Sequence, residues 1–257
     1  ANYETSFGKD GKHGFQAMLG LSAMNYKNQW NNSLSGPMFK EQSNFAQHGN
    51  AEIDGKVAGN LTEQTTQSYF GRVGYDYDGR YLVQVIVRAD GTSLLAQDQQ
   101  WGTFPSVSAG WILSHEKFWN VDFIDFFKVR ASWGQNGSTK SLSPDQFRAL
   151  ITANGIKYPK PGGGYYTGAE PALLANNELT WETSTQTDIG LDMHMWNSRL
   201  IFGFDWFYKV TEDLLTVGTP PPSVGNYAPF VNAGDITNKG IELEVGLRKF
   251  EGKFNYD

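Results

Sequence analysis

Apolar and polar residues alternate along this chain in segments of about ten, and the segments are joined alternately by a very short and a very long connection. The clearest pair is SYFGRVGYDYDGRYLVQVIVRADG, residues 68–91. Tyr69, Gly71, Val73, Tyr75 and Tyr77 fall on one face of the first strand, opposite Arg72, Gly74 and Asp76. Asp78-Gly79 predicts a two-residue type I′ turn. On the returning strand Tyr81, Val83, Val85, Val87 and Ala89 share a face, opposite Gln84, Arg88 and Asp90.

The same period predicts further strands. Phe15, Ala17, Leu19, Leu21 and Ala23 form the first, and a polar stretch from about Lys27 to Thr66 reads as a long loop. After the hairpin, Val107, Ala109, Trp111 and Leu113 mark the fourth strand. The segment 114–127 reads as short helix or irregular chain. Phe127, Val129, Ala131 and Trp133 then alternate with Lys128, Arg130, Ser132 and Gly134. A second long loop runs from about Gln135 to Leu179 and contains PKPGGGYYTG, too rich in Pro and Gly for a regular strand. Ile189, Leu191, Met193 and Met195 oppose Asp188, Gly190, Asp192 and His194, and Asn197-Ser198 turns the chain. Leu200, Phe202, Phe204, Trp206 and Tyr208 follow, then the loop GTPPPSVGNYAPF, then Ile241, Leu243, Val245 and Leu247 opposite Glu242, Glu244, Gly246 and Arg248. Glu251-Gly252 turns into a ninth, truncated strand.

Sorted by length, the long connections and the tight turns lie on opposite rims, with the one after the fourth strand intermediate. A soluble meander has no reason to sort its loops. An outer-membrane barrel does, with short turns on one side and long loops on the other. The polar faces carry Arg72, Arg88, Lys128, Arg130, Asp188, Asp192, Glu242 and Glu244. A charge in hydrocarbon costs several kcal/mol, so these side chains are expected to face a wet or plugged lumen. The alternative on periodicity alone is a β-sandwich whose charged face is solvated.

Composition narrows the classes. Mean hydropathy is −0.46 and no run approaches a membrane helix, which leaves barrel strands open because only alternate residues meet lipid. Aromatics make up 14% of the 257 residues, as interfacial girdles require. A net charge of −6 argues against a broad nucleic-acid surface. The absence of cysteine excludes disulfides and thiolate metal sites. The first residue is Ala, no signal peptide precedes it, and the sequence stops at FNYD in mid-pattern, so a piece of a larger polypeptide is expected.

Six segments take the reading further: YFGRVGYDYDGRYL (69–82), RADGTS (88–93), WGTFPSVSAGW (101–111), KVRASWGQNG (128–137), LTWETSTQTDIGLD (179–192) and ITNKGIELEV (236–245). In order and spacing they resemble the barrel of SusC-like TonB-dependent transporters, with one departure at Leu94-Leu95-Ala96, where a Lys-Phe-Gly-like run is usual. The resemblance implies an all-β, antiparallel transmembrane β-barrel, of which residues 1–257 are a partial barrel domain supplying roughly eight to nine contiguous strands of about 22. It implies an N-terminal plug and barrel ends outside this chain, opening by TonB, and a SusD-like surface lipoprotein as partner, in a dimer of such pairs. Import of oligosaccharides or peptides across the outer membrane of a Gram-negative bacterium follows, with lipid around the wall and no cofactor.

Candidate contacts are then of two kinds. Specificity concentrates on loops held by a rigid scaffold, and the best loop aromatics are Trp30, Trp101, Tyr165, Tyr166 and Tyr227. Arg72, Arg88, Arg130, Asp188 and Glu242 are expected to face the lumen or plug. No catalytic or metal centre is expected: the four histidines are scattered, HExxH and GxSxG are absent, and Asp90-Gly91-Thr92-Ser93 lacks the ligand spacing of an EF-hand. A passive porin, a surface-binding barrel without energy coupling, and a soluble β-sandwich carbohydrate-binding module remain as alternatives.

Overall fold

The computed structural model describes residues 1–33, 57–152, 157–221, 223 and 228–248. Nine strands form one antiparallel sheet: β1 (Asn2–Phe7), β2 (His13–Ser33), β3 (Val57–Tyr77), β4 (Tyr81–Thr92), β5 (Trp101–Ile112), β6 (Ile124–Ser138), then, after four short loop strands, β11 (Glu182–Met195), β12 (Leu200–Glu212) and β15 (Ile236–Leu247). The loop strands are β7 (Leu150–Thr152), β8 (Lys157–Pro159), β9 (Tyr165–Thr167) and β10 (Glu170–Leu173), with β13 (Leu215–Val217) and β14 (Phe230–Asn232) between β12 and β15. β10 pairs with β7, β8 with β9 and β13 with β14.

Each sheet neighbour is the next long strand in the chain, the up-and-down order that a barrel wall needs. Register keeps the two faces separate across all nine strands. Leu19 lies opposite Gly71, Val73 opposite Val85, Val85 opposite Val107, Ala131 opposite Ile189, and Trp206 opposite Ile241, all on the apolar face. Turn chemistry sets that register. Asp78 and Gly79 take φ of 55° and 62°, and Arg80 N–H donates to Tyr77 C=O at 2.9 Å, as the sequence predicts.

Four expectations change. The first strand continues to Ser33 and its partner starts at Val57, so Lys27–Ser33 and Val57–Thr66 belong to the ladder, not to a loop. Ladder hydrogen bonds are made by the backbone and need no apolar face once the strands leave lipid. The segment after the fourth long strand is a 3-10 turn at Leu113–His115 and irregular chain, as expected, but β6 begins at Ile124, three residues before Phe127. PKPGGGYYTG does hold paired strands, because Gly162, Gly163 and Gly164 take positive φ and close a small hairpin between β8 and β9. An additional edge strand, β1, runs alongside β2. The truncated strand expected after Glu251-Gly252 falls outside the described residues.

Few side chains in the wall are buried. The close-packed core lies above the sheet, where the loops meet. Leu94 and Leu95 from the β4–β5 loop, Leu142 and Leu179 from the β6–β11 connection, and Leu215 of β13 form one cluster, flanked by Phe147, Trp181 and Phe230. Leu95 and Leu179 are fully buried, at 0% exposure. Polar bonds close the same unit: Asn176 Nδ2 donates to Phe230 O at 2.7 Å, and Thr180 N to Asn232 Oδ1 at 2.9 Å.

Candidate functional site: the polar face of the wall

Alternation places Arg72, Arg88, Lys128, Arg130, Asp188, Asp192, Asp205, Glu242 and Glu244 on the face opposite the exposed valines and leucines. A cavity of about 470 Å³ lies against this face, with Glu4 and Asp76 on one side and Lys128, Arg130 and Asp188 on the other. Small residues, Ser108 and Gly110 of β5 among them, form its floor.

Arg130 ties three strands together. Its Nε donates to Asp192 Oδ2 at 3.2 Å and its Nη2 to Asp205 Oδ2 at 2.7 Å, from β6 to β11 and β12. Gly190 makes room for this network: a Cβ there would overlap the Asp205 carboxylate and stand 2.8 Å from Arg130 Cζ. Asp188 accepts from Ser132 Oγ at 3.0 Å and from Gln186 Nε2 at 2.7 Å. Arg88 binds Asp90 through Nε at 2.7 Å and Ser68 through Nη2 at 3.1 Å, and its guanidinium lies 5.7 Å from the Phe70 ring centre. Glu242 lies opposite Asp205 in the ladder. Neither Arg72 nor Glu242 forms an ion pair among the described residues. His194 also faces this side, its ring 5.1 Å from that of Phe126.

The aromatics do not form one group. Trp30 sits within β2, on the face shared with Arg72, instead of in a loop. Trp101 is the first residue of β5, on the outward apolar face, with its ring stacked 5.9 Å from that of Tyr69. Its outward direction is the one that an interfacial girdle uses. Tyr165 and Tyr166 belong to β9, with Tyr158 opposite Tyr166 and Lys160 Nζ 4.8 Å from the Tyr166 ring centre. Tyr227 falls outside the described residues. Sequence reasoning passed over Tyr158, and also Tyr26, which shares the face of Trp30. The strict two-residue period from Gln16 onward was the signal for Tyr26, had the strand been extended.

Three of the quoted motifs meet at the upper rim. Phe104 of WGTFPSVSAGW packs edge-on to Trp181 of LTWETS, ring centres 5.5 Å apart. The Phe104 ring occupies the space where Gly137 of KVRASWGQNG would carry a Cβ. Trp181 Nε1 donates to Gln100 O at 3.3 Å. Leu94 and Leu95, the departure from the family pattern, fill the centre of the loop core.

The opposite rim carries its own network. Glu116 accepts from Arg80 Nη1 at 3.1 Å and from the Trp111 indole at 3.0 Å, while Arg80 Nη2 reaches Asp78 at 2.8 Å. Hydrogen bonds from Tyr81 and Trp111, with Arg80 beside it, hold the Glu116 carboxyl below the usual carboxylate range against an opposing desolvation. Desolvation disfavours the Arg80 charge, but Glu116 and Asp78 outweigh it and raise the guanidinium pKa. Among the described residues no cluster of three or more His, Asp or Glu is placed to hold a metal ion.

A nine-stranded up-and-down sheet with one lipid-compatible face, one charged face and loops sorted by rim defines a segment of an outer-membrane β-barrel wall. The chain belongs to the TonB dependent receptor-like, beta-barrel family, whose model matches residues 2–257. It is 33% identical over 201 residues to the TonB-dependent receptor SusC of Bacteroides thetaiotaomicron, covering 76% of this chain and 20% of SusC. It is 34% identical over 184 residues to TonB-dependent receptor P26 of Formosa agariphila, covering 69% of this chain and 18% of P26. The chain thus spans about a fifth of the length of these relatives. The RagAB peptide transporter shares the fold, with a TM-score of 0.85 at 21% identity, over 98% of this chain and 27% of that one.

Proposed function

We propose that this chain is part of the wall of a SusC-like, TonB-dependent importer in the outer membrane of a Gram-negative bacterium. Its cargo is an oligosaccharide or a peptide, captured together with a SusD-like surface lipoprotein, and the complex is a dimer of such pairs. The chain makes no catalytic contribution. Residues 1–257 are a partial barrel domain, and the plug and the TonB contact are carried elsewhere in the polypeptide.

The charged belt of the polar face carries this reading. Arg72, Arg88, Arg130, Asp188 and Glu242 face the lumen; Arg88, Arg130 and Asp188 have partners within the wall, and Arg72 and Glu242 are left to a plug or water. In a passive pore such a belt would line an open channel. In an energy-coupled importer Arg72 and Glu242 meet partners on the plug. Tyr165 and Tyr166 on the exposed β8–β9 hairpin, and Trp30 on the β2–β3 hairpin, are the ligand contacts favoured by their position above the apolar band.

The test is uptake in a strain whose only copy of the receptor gene can be deleted. Labelled oligosaccharide or peptide should accumulate only with the gene present, and a protonophore should stop it. Uptake that persists with the proton gradient collapsed would make the wall a passive pore.

A further inference from the structure

The hairpin β2–β3 is longer than a membrane requires. Twenty-one residues on each strand, at about 3.3 Å per residue and a tilt near 40°, reach roughly 50 Å along the membrane normal, about twice the apolar band of an outer-membrane barrel. On its outward face the continuous apolar run ends at Ala23 and Tyr69, and Leu61 is the one large aliphatic side chain above it among the described residues. Above the run also come Asn25, Lys27 and Glu63, with Asn25 Nδ2 donating to Glu63 at 2.8 Å. That is a solvated exterior.

The inward face of the same projection has a different chemistry. It presents Met24, Tyr26 and Trp30 on the side that continues down to Arg72 and the lumen. Between and opposite them stand Asn28, Thr62, Gln64 and Thr66. On β2 and β3 the described inward side chains from Ser22 to Trp30 and from Thr62 to Ser68 include no Asp, Glu, Lys, Arg or His; the nearest charges on this face are Arg88 and Asp90 of β4, paired with each other beside Ser68. A lipid girdle is excluded, because girdle rings point outward at the level of the headgroups. Two rings four residues apart on one face stand about 13 Å from each other, so one elongated ligand can touch both.

From this face we infer that Tyr26 and Trp30 form a landing track for a neutral oligosaccharide on its way to the lumen. The C–H face of a sugar ring stacks on an aromatic ring, and the surrounding amides and hydroxyls exchange hydrogen bonds with sugar hydroxyls without a charge to satisfy. A charged peptide or an acidic glycan would find no counter-ion beside Tyr26 and Trp30, because the nearest charges, Arg88 and Asp90, are already paired with each other lower on the face. The inference rests on the import reading and commits it to the sugar alternative.

The experiment uses the intact receptor with its lipoprotein, purified in detergent, and titration calorimetry. The probes are gluco-, manno- and xylo-oligosaccharides, oligogalacturonate and a mixed oligopeptide pool. At least one neutral series should bind, with affinity rising as the chain lengthens to span both rings. Tyr26→Ala and Trp30→Ala should each weaken that binding about tenfold, the order expected for one lost aromatic contact. Trp30→Phe should retain most of it, and Lys27→Ala, on the outward face, all of it. Heat-modifiable mobility on a gel checks that each variant is folded.

Neutral sugars bound equally well by wild type and both alanine variants would overturn the track while leaving import intact. So would loss of the lipoprotein from the complex with sugar affinity unchanged, which would make this face a protein contact. Binding of oligogalacturonate or peptides alone would overturn the neutral-sugar class. The import reading fails separately, if uptake ignores the proton gradient.

Discussion

The membrane-level wall and the loop layer above it both use aliphatic side chains, but in opposite ways. Val85 is 44% exposed at the centre of the sheet, with valines on both neighbouring strands. Leu95 and Leu179 are at 0%, enclosed by side chains from three connections. In the wall the protein supplies a surface and lipid supplies the other half of the packing, so cohesion within the sheet comes from the ladder. In the loop layer the chain must provide its own hydrophobic core, as a small soluble domain does. One sequence therefore carries two solvent environments, and equal substitutions should have unequal effects in them.

The largest effect is expected in the loop core. Leu95→Ala or Leu179→Ala should cost about 2–5 kcal/mol, since a fully buried leucine leaves a cavity. The loss should appear as faster proteolysis of the outer loops with the barrel still heat-modifiable. Cleavage no faster than in wild type would mean that the loops do not depend on this cluster. Val85→Arg comes next, at about 2–4 kcal/mol for a charge at the bilayer midplane. It should lower the yield of folded protein in liposomes, whereas Val85→Ala should be nearly silent because lipid fills the gap. A silent arginine would make this face aqueous and favour the sandwich alternative. Gly190→Ala should cost about 1–3 kcal/mol by forcing Arg130 and Asp205 apart, read as a lower urea midpoint of the refolded receptor.

The smallest effect belongs to the rim network at Glu116. Its carboxyl is held below the ordinary range, so its contribution is complete above the ordinary carboxylate pKa and is lost as pH falls through the lower folded value. Protease resistance of the 113–123 loop should hold at neutral pH and decline only in acid. Glu116→Gln should remove that acid step, and a variant that keeps it would assign the titration to another group.

The strands were legible where lipid dictates them. Val83, Val85 and Val87 must alternate with polar partners because one face meets hydrocarbon and the other does not. That constraint stops near Ala23 and Tyr69, and so did the legibility: Trp30 read as loop and Tyr26 was passed over because no face above the membrane has to be apolar. The aromatic type of Trp101 was visible, but its outward direction depends on where β5 begins, and strand ends are weakly encoded. Leu94-Leu95 looked like a loop irregularity because a core built from separate connections has no local period. The charged belt was readable by parity along each strand. The Arg130–Asp192–Asp205 junction was not, because it depends on register between three strands.

The loop core also bears on how the wall is built. Its leucines come from connections separated by several transmembrane passes, and they meet only on the outer side of the membrane. The whole cluster cannot close until the tips after β4, β6 and β12 have all been threaded across. Once closed, the cluster is too bulky and too well bonded to be drawn back through the bilayer strand by strand. The layer that looks like decoration on the rim thus behaves as a ratchet pawl for insertion, turning a reversible threading of hairpins into a committed one.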